Sequence, residues 1–128
     1  MTVKTGPRNS ALLRHWTPLV LYMFVVFVVS IRPVAEELPG LWDMLHMDKL
    51  VHAAMYWVMG ILSLRAIANT AAYSRRGAFF LAFALSFFYG GFIELCQGLV
   101  PYRSASIMDA AANGAGAFLG AYTYDRWR

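Results

Sequence analysis

The sequence predicts an all-α polytopic membrane protein, a four-transmembrane-helix bundle with both termini cytoplasmic. Three observations carry that expectation. The 128 residues are 59% hydrophobic and only 14% charged, more apolar surface than the small core of a soluble domain of this length can bury. The apolar residues gather into four runs, Trp16 to Ile31, Leu50 to Ala68, Ala78 to Gln97 and Ile107 to Tyr124, each near the ~20 residues that a helix needs to cross ~30 Å of hydrocarbon. Charge is distributed asymmetrically. Lys4, Arg8, Arg14, Arg65, Arg75, Arg76, Arg126 and Arg128 fall on one side of the runs, whereas Arg32, Lys49 and Arg103 share the other with Glu36, Glu37, Asp43 and Asp48. The positive-inside rule then puts both termini in the cytoplasm. The net charge of +4 reads as membrane orientation and not as a nucleic-acid patch, so no nucleic-acid partner is expected.

Residues 1–15 form a basic cytoplasmic tail, 16–124 the membrane domain and 125–128 a second cytoplasmic tail. The first run follows Lys4, Arg8 and Arg14 as a signal peptide would, but Ser30-Ile31-Arg32-Pro33-Val34 offers no small-x-small cleavage site, and an uncleaved span is expected. The first and last runs are short and are predicted to extend into the interface or to sit where the bilayer is thin. Between spans one and two, Leu41, Trp42, Met44, Leu45 and Met47 follow the breaker Pro39-Gly40, the pattern of a short helix lying on the outer surface as a lid. Trp16, Trp127, Tyr73, Tyr122 and Tyr124 are placed at the cytoplasmic boundary, and Trp42, Tyr56 and Tyr102 at the outer one. Cys96, the lone cysteine, reads as a small buried hydrophobe. In span four Ala112, Gly116 and Gly120 form a small-xxx-small ridge that permits close helix approach. The ridge makes span four an inner element, and it is also the surface through which a homo-oligomer is expected. Its glycines lack the Lys-Ser/Thr of a phosphate loop.

Ionisable and amide side chains inside spans cost a few kcal/mol each by insertion scales, roughly 2.5–3.5 for a charge at the centre, so they call for partners and invite a functional reading. Here their positions agree. Asp48, His52 and Tyr56 recur at helical spacing, beside Lys49, over the outer two turns of span two. Glu94 and Gln97 end span three. Arg103, Ser104 and Ser106 follow, and Asp109 and Asn113 open span four. Three helices thus deliver polar side chains to one leaflet. Polar residues also hold bundles together or cap helices, and Asp109 at a helix N-terminus and Asp48-Lys49 at an interface have that simpler explanation.

The pattern Asp48-Lys49-x-x-His52-x-x-x-Tyr56, Glu94-x-x-Gln97, Arg103-x-x-Ser106-x-x-Asp109-x-x-x-Asn113-x-x-Gly116 resembles the signature of the VanZ-like membrane protein family, over roughly residues 16 to 124. Tyr102 stands where a small residue would be expected beside the Arg. The resemblance implies a small multi-pass protein of the bacterial cytoplasmic (inner) membrane, linked through the family's namesake to tolerance of teicoplanin-type glycopeptides, and it implies no settled activity.

The expected function is an outer-leaflet polar pocket (His52, Glu94, Arg103, Asp109) that binds a membrane lipid or a lipid-linked envelope precursor. Asp48, Lys49, Tyr56, Gln97, Arg103, Ser106 and Asn113 form the ligand-binding set, with Arg103 and Lys49 meeting an anionic head group. One alternative is an intramembrane enzyme acting on a lipid head group, with His52, Glu94 and Asp109 as its catalytic set. Another is a small proton-linked lipid carrier using Glu94 and His52. No cofactor and no metal are expected: His52, Glu94 and Asp109 are donors compatible with a divalent ion, but the chain has no His-Glu-x-x-His run, and His15 and His46 lie elsewhere.

Overall fold

The computed structural model describes residues 7–32, 47–101 and 104–128. They form four helices: α1 (Pro7–Ser30), α2 (Met47–Thr70), α3 (Arg75–Gln97) and α4 (Ile107–Trp127). No strand occurs among the described residues. By length and apolarity, α1, α2 and α3 can each cross a membrane. α4 has 21 residues, a spanning length, but is rich in Ala and Gly and carries Asp109 and Asn113, and it is not among those three. The lid helix expected around Leu41 to Met47 falls almost wholly outside the described residues, as do Tyr102 and Arg103.

α1 starts nine residues before the predicted Trp16. Pro7 opens it, a position where proline's missing N–H is no loss and its fixed φ already suits the helix. The basic residues of the expected tail are soluble in water but are good helix formers, so the apolar boundary and the helical boundary differ. The later helices start on serine caps. Ser74 Oγ accepts from Gly77 N at 3.1 Å, and Ser106 Oγ accepts from Asp109 N at 3.2 Å, each satisfying one of the first-turn N–H groups that a helix leaves unpaired.

α2 and α4 form the central pair, and glycine sets their separation. A Cβ on Gly116 would overlap the carbonyl oxygen of Ala53, one on Gly120 that of Trp57, and one on Gly60 that of Ala117. The two backbones touch, as small-residue ridges allow when water is not available to drive packing. α4 is thus the inner element expected. Within the chain, Gly116 and Gly120 of the ridge face α2, while Ala112 stays partly exposed.

Around this pair, Leu19 and Val26 of α1 pack on Tyr56, Met59, Ala66 and Ala117, while Leu64, Ile67, Ala78, Ala82 and Ala121 fill the other half. Polar side chains fasten the helices between these layers. Tyr22 Oη donates to Met55 O at 2.8 Å, Tyr89 Oη to Met23 O at 2.5 Å and Trp16 Nε1 to Thr70 Oγ1 at 2.8 Å. The large apolar side chains Phe24, Phe80, Phe88, Leu95 and Leu119 point outward and are exposed, a surface far too apolar to face water. At one end of the bundle Arg75 Nε contacts both carboxylate oxygens of Asp125 at 3.1 Å, joined by Arg128. Their hydrogen bonds hold the Asp125 carboxyl below the usual carboxylate range. The residues of interest gather at the other end.

Candidate functional site

α2 begins, α3 ends and α4 begins at the same end of the bundle. The stripe predicted on α2 is graded by depth. Asp48 is exposed, His52 is half-buried, and Tyr56 is 1% exposed. Tyr56 is therefore not the interfacial anchor expected, because the stripe continues inward along the helix instead of following the membrane surface. On α3, Glu94 and Gln97 are both buried.

Ser106 links α3 to α4. Its backbone N–H donates to Glu94 Oε2 at 3.1 Å while its hydroxyl caps α4 through Asp109 N. Asp109 in turn faces α2: Lys49 Nζ lies 2.6 Å from its Oδ1 and also pairs with Asp48, and its Oδ2 lies 3.9 Å from His52 Nε2. The other ring nitrogen of His52, Nδ1, is 2.9 Å from Asn113 Oδ1. A carbonyl oxygen only accepts, so Nδ1 carries the proton in this bond, and in the neutral imidazole the lone pair is on Nε2.

The result is three tethered groups, each with a donor atom to spare. One ligand atom from each of His52, Glu94 and Asp109 lies within 4.8 Å of the other two, so these residues can hold a cation. Glu94 Oε1, Asn113 Nδ2 and Tyr56 Oη are buried and have no hydrogen-bond partner among the described residues, although polar groups in native interiors are nearly always paired.

The expected residues do not all join this set. Gln97 Nε2 donates to Ser30 O at 3.2 Å and so ties α3 to α1. Arg103 lies outside the described residues. Sequence reasoning missed Gly90, on which a Cβ would come within 3.0 Å of Tyr56 Cε1 and 3.3 Å of Asn113 Nδ2; the absence of a side chain there lets both residues sit where they do. Its signal was a Gly90-Gly91 pair in a helix interior, where glycine is unfavourable without a packing reason. The buried pair Ser63 and Ser86, 3.1 Å apart, was missed as well, since isolated serines in apolar runs are common.

A model of the VanZ/LLP1 family matches residues 8–128, which takes in all three helices that build this site. The chain belongs to the VanZ/LLP1 family. No curated protein and no solved structure matches it. In this VanZ/LLP1 protein, the positions that carried the resemblance are, apart from Arg103 and Gln97, the residues at the start of α2, the end of α3 and the start of α4 that adjoin one another.

Proposed function

We propose that this VanZ/LLP1 protein is a multi-pass protein of the bacterial cytoplasmic membrane, with α4 as a fourth span and both termini cytoplasmic, and that its polar cluster lies in the outer leaflet and binds the anionic head group of a lipid-linked envelope precursor. The observation behind it is the convergence of Lys49, His52, Glu94, Asp109 and Asn113 in an otherwise apolar bundle. Polar side chains that only held helices together would exhaust their hydrogen bonds on one another, and three buried atoms here do not find a partner among the described residues. Asp109 positions the Lys49 ammonium, and Arg103, six residues before the start of the capped turn at Asp109, supplies a guanidinium fork suited to phosphate or carboxylate. Tolerance of teicoplanin-type glycopeptides is then an effect exerted on the precursor.

The test is saturable binding of a labelled polyprenyl phosphate to protein reconstituted in phosphatidylcholine vesicles. Arg103→Lys, which keeps the charge but loses the fork, should weaken binding by about tenfold, or about 1.4 kcal/mol, with insertion unchanged. Equal affinity in that variant, or no saturable binding at all, overturns the reading. A second reading, an enzyme acting on the head group, draws on the free lone pair of His52 Nε2 near Asp109, a general base in the making. Covalent conversion of the lipid, abolished in His52→Gln, would select it, and exchange of the lipid between leaflets without conversion would select the carrier.

A further inference from the structure

We infer that His52, Glu94 and Asp109 form a binding site for a divalent transition cation of the zinc or manganese type. Each of the three is held by one atom and leaves another free. His52 Nδ1 is bound to Asn113 Oδ1 at 2.9 Å, which directs the Nε2 lone pair toward Asp109 Oδ2, 3.9 Å away. Glu94 Oε2 is fixed by Ser106 N at 3.1 Å, while Oε1 is buried and has no partner among the described residues, on a residue only 5% exposed. Asp109 Oδ1 is anchored by Lys49 at 2.6 Å, leaving Oδ2.

Donor atoms within 4.8 Å of one another lie a few tenths of an ångström beyond the ~4.0–4.4 Å that ligands at about 2.0–2.2 Å from a common centre can span, so a modest side-chain rotation gathers them around one ion. A second group that grips the non-ligating nitrogen of the imidazole is the usual partner of a metal-bound histidine. Charge agrees as well. Among the described residues of the cluster, the carboxylates of Asp48, Glu94 and Asp109 face the single ammonium of Lys49, which leaves two negative charges with His52 neutral. One imidazole and two carboxylates suit zinc, manganese or iron(II) and do not favour a soft ion. The side chains of His52 and Asp109 are 19% and 16% exposed, so the remaining coordination positions open outward, as in sites that take an exogenous ligand. That this ligand is the phosphate of a lipid head group rests on the proposed function. The cation site itself does not.

The test uses the full chain in detergent micelles, its affinity tag removed, stripped with EDTA and titrated with Co2+ alone, with absorption between 500 and 650 nm as the readout on the order expected for cobalt bound to nitrogen and oxygen donors. One equivalent should bind per chain and be displaced by Zn2+. Glu94→Gln and His52→Gln should each weaken binding at least about tenfold, and Asn113→Ala, which touches no ligand atom, by about tenfold through the second shell. The wild-type titration stands whether or not a variant folds. Absence of a cobalt spectrum from wild-type protein, or a spectrum equally strong in folded Glu94→Gln, overturns the inference. Cation binding without polyprenyl phosphate binding would refute the head-group reading alone, lipid binding without any cobalt spectrum would refute the cation site alone, and lipid binding that EDTA leaves unchanged would refute only the phosphate as the cation's ligand.

Discussion

His52 donates its Nδ1–H to Asn113 Oδ1 across 2.9 Å, and this bond between the second turns of α2 and α4 decides which ring nitrogen faces Asp109. Asn113 itself is 1% exposed, so its end of the bond has no water to replace it.

Asn113→Ala should release the imidazole. Losing a buried acceptor leaves Nδ1–H unpaired at roughly 1–3 kcal/mol, offset in part because the variant also removes the unpartnered Nδ2. A net loss near 1 kcal/mol is expected on that balance. Nitrogen NMR of the histidine should show the Nδ1–H tautomer in the wild type and a mixture in the variant. An unchanged tautomer would mean that Asn113 does not set it.

Gly116→Ala and Gly91→Ala should diverge. The first places a methyl group against the Ala53 carbonyl, whereas a Cβ on Gly91 meets nothing within 4 Å. Overpacking of this kind costs about 1–3 kcal/mol and is not repaid by the gain of up to about 1 kcal/mol that alanine brings to a helix. Unfolding in mixed micelles should therefore show Gly116→Ala destabilised and Gly91→Ala neutral or slightly stabilised. Equal stabilities would show that α2 and α4 are not in backbone contact.

Asp125, in the residues following the last apolar run, should make stability acid-sensitive. Arg75 lowers its pKa in the folded protein, so its contribution is complete above the ordinary carboxylate value of about 4 and fades as pH falls through the lowered one. With the Arg75 side chain 61% exposed, the amount is small, about 0.5–1 kcal/mol. Stability measured from pH 7 down to 2 should fall less steeply at the acid end in Asp125→Asn. An unaltered acid limb would remove the pair from any role in stability.

Much of the site could be read in advance because a charge in an apolar run is so unfavourable that its position carries information. His52, Glu94 and Asp109 were each identifiable alone, and their common end of the bundle followed from counting residues along the helices. Depth and direction could not be read in the same way. Tyr56 shares a stripe with His52 whether it ends at the surface or, as found, in the core. The amide of Gln97 turns to Ser30, and nothing local to α3 reveals where α1 will lie. The small-residue ridge of α4 announced close packing but not its partner, because Gly116 and Gly120 accept any backbone brought against them. Helix α1 begins at Pro7 because helical propensity does not stop where hydropathy does.

The glycine seam between α2 and α4 bears on how the chain is made. Past its first turn, α4 has Phe118 and Leu119 as its large aliphatic or phenyl side chains, a weak signal for independent partitioning at the translocon. A helix with so little oil of its own enters most readily by lodging against one already inserted, and α2, synthesised earlier, presents the matching backbone. On the four-span reading, the last helix is a latecomer that docks, and biogenesis, more than the finished bundle, is where a bulky substitution in the seam would be felt first.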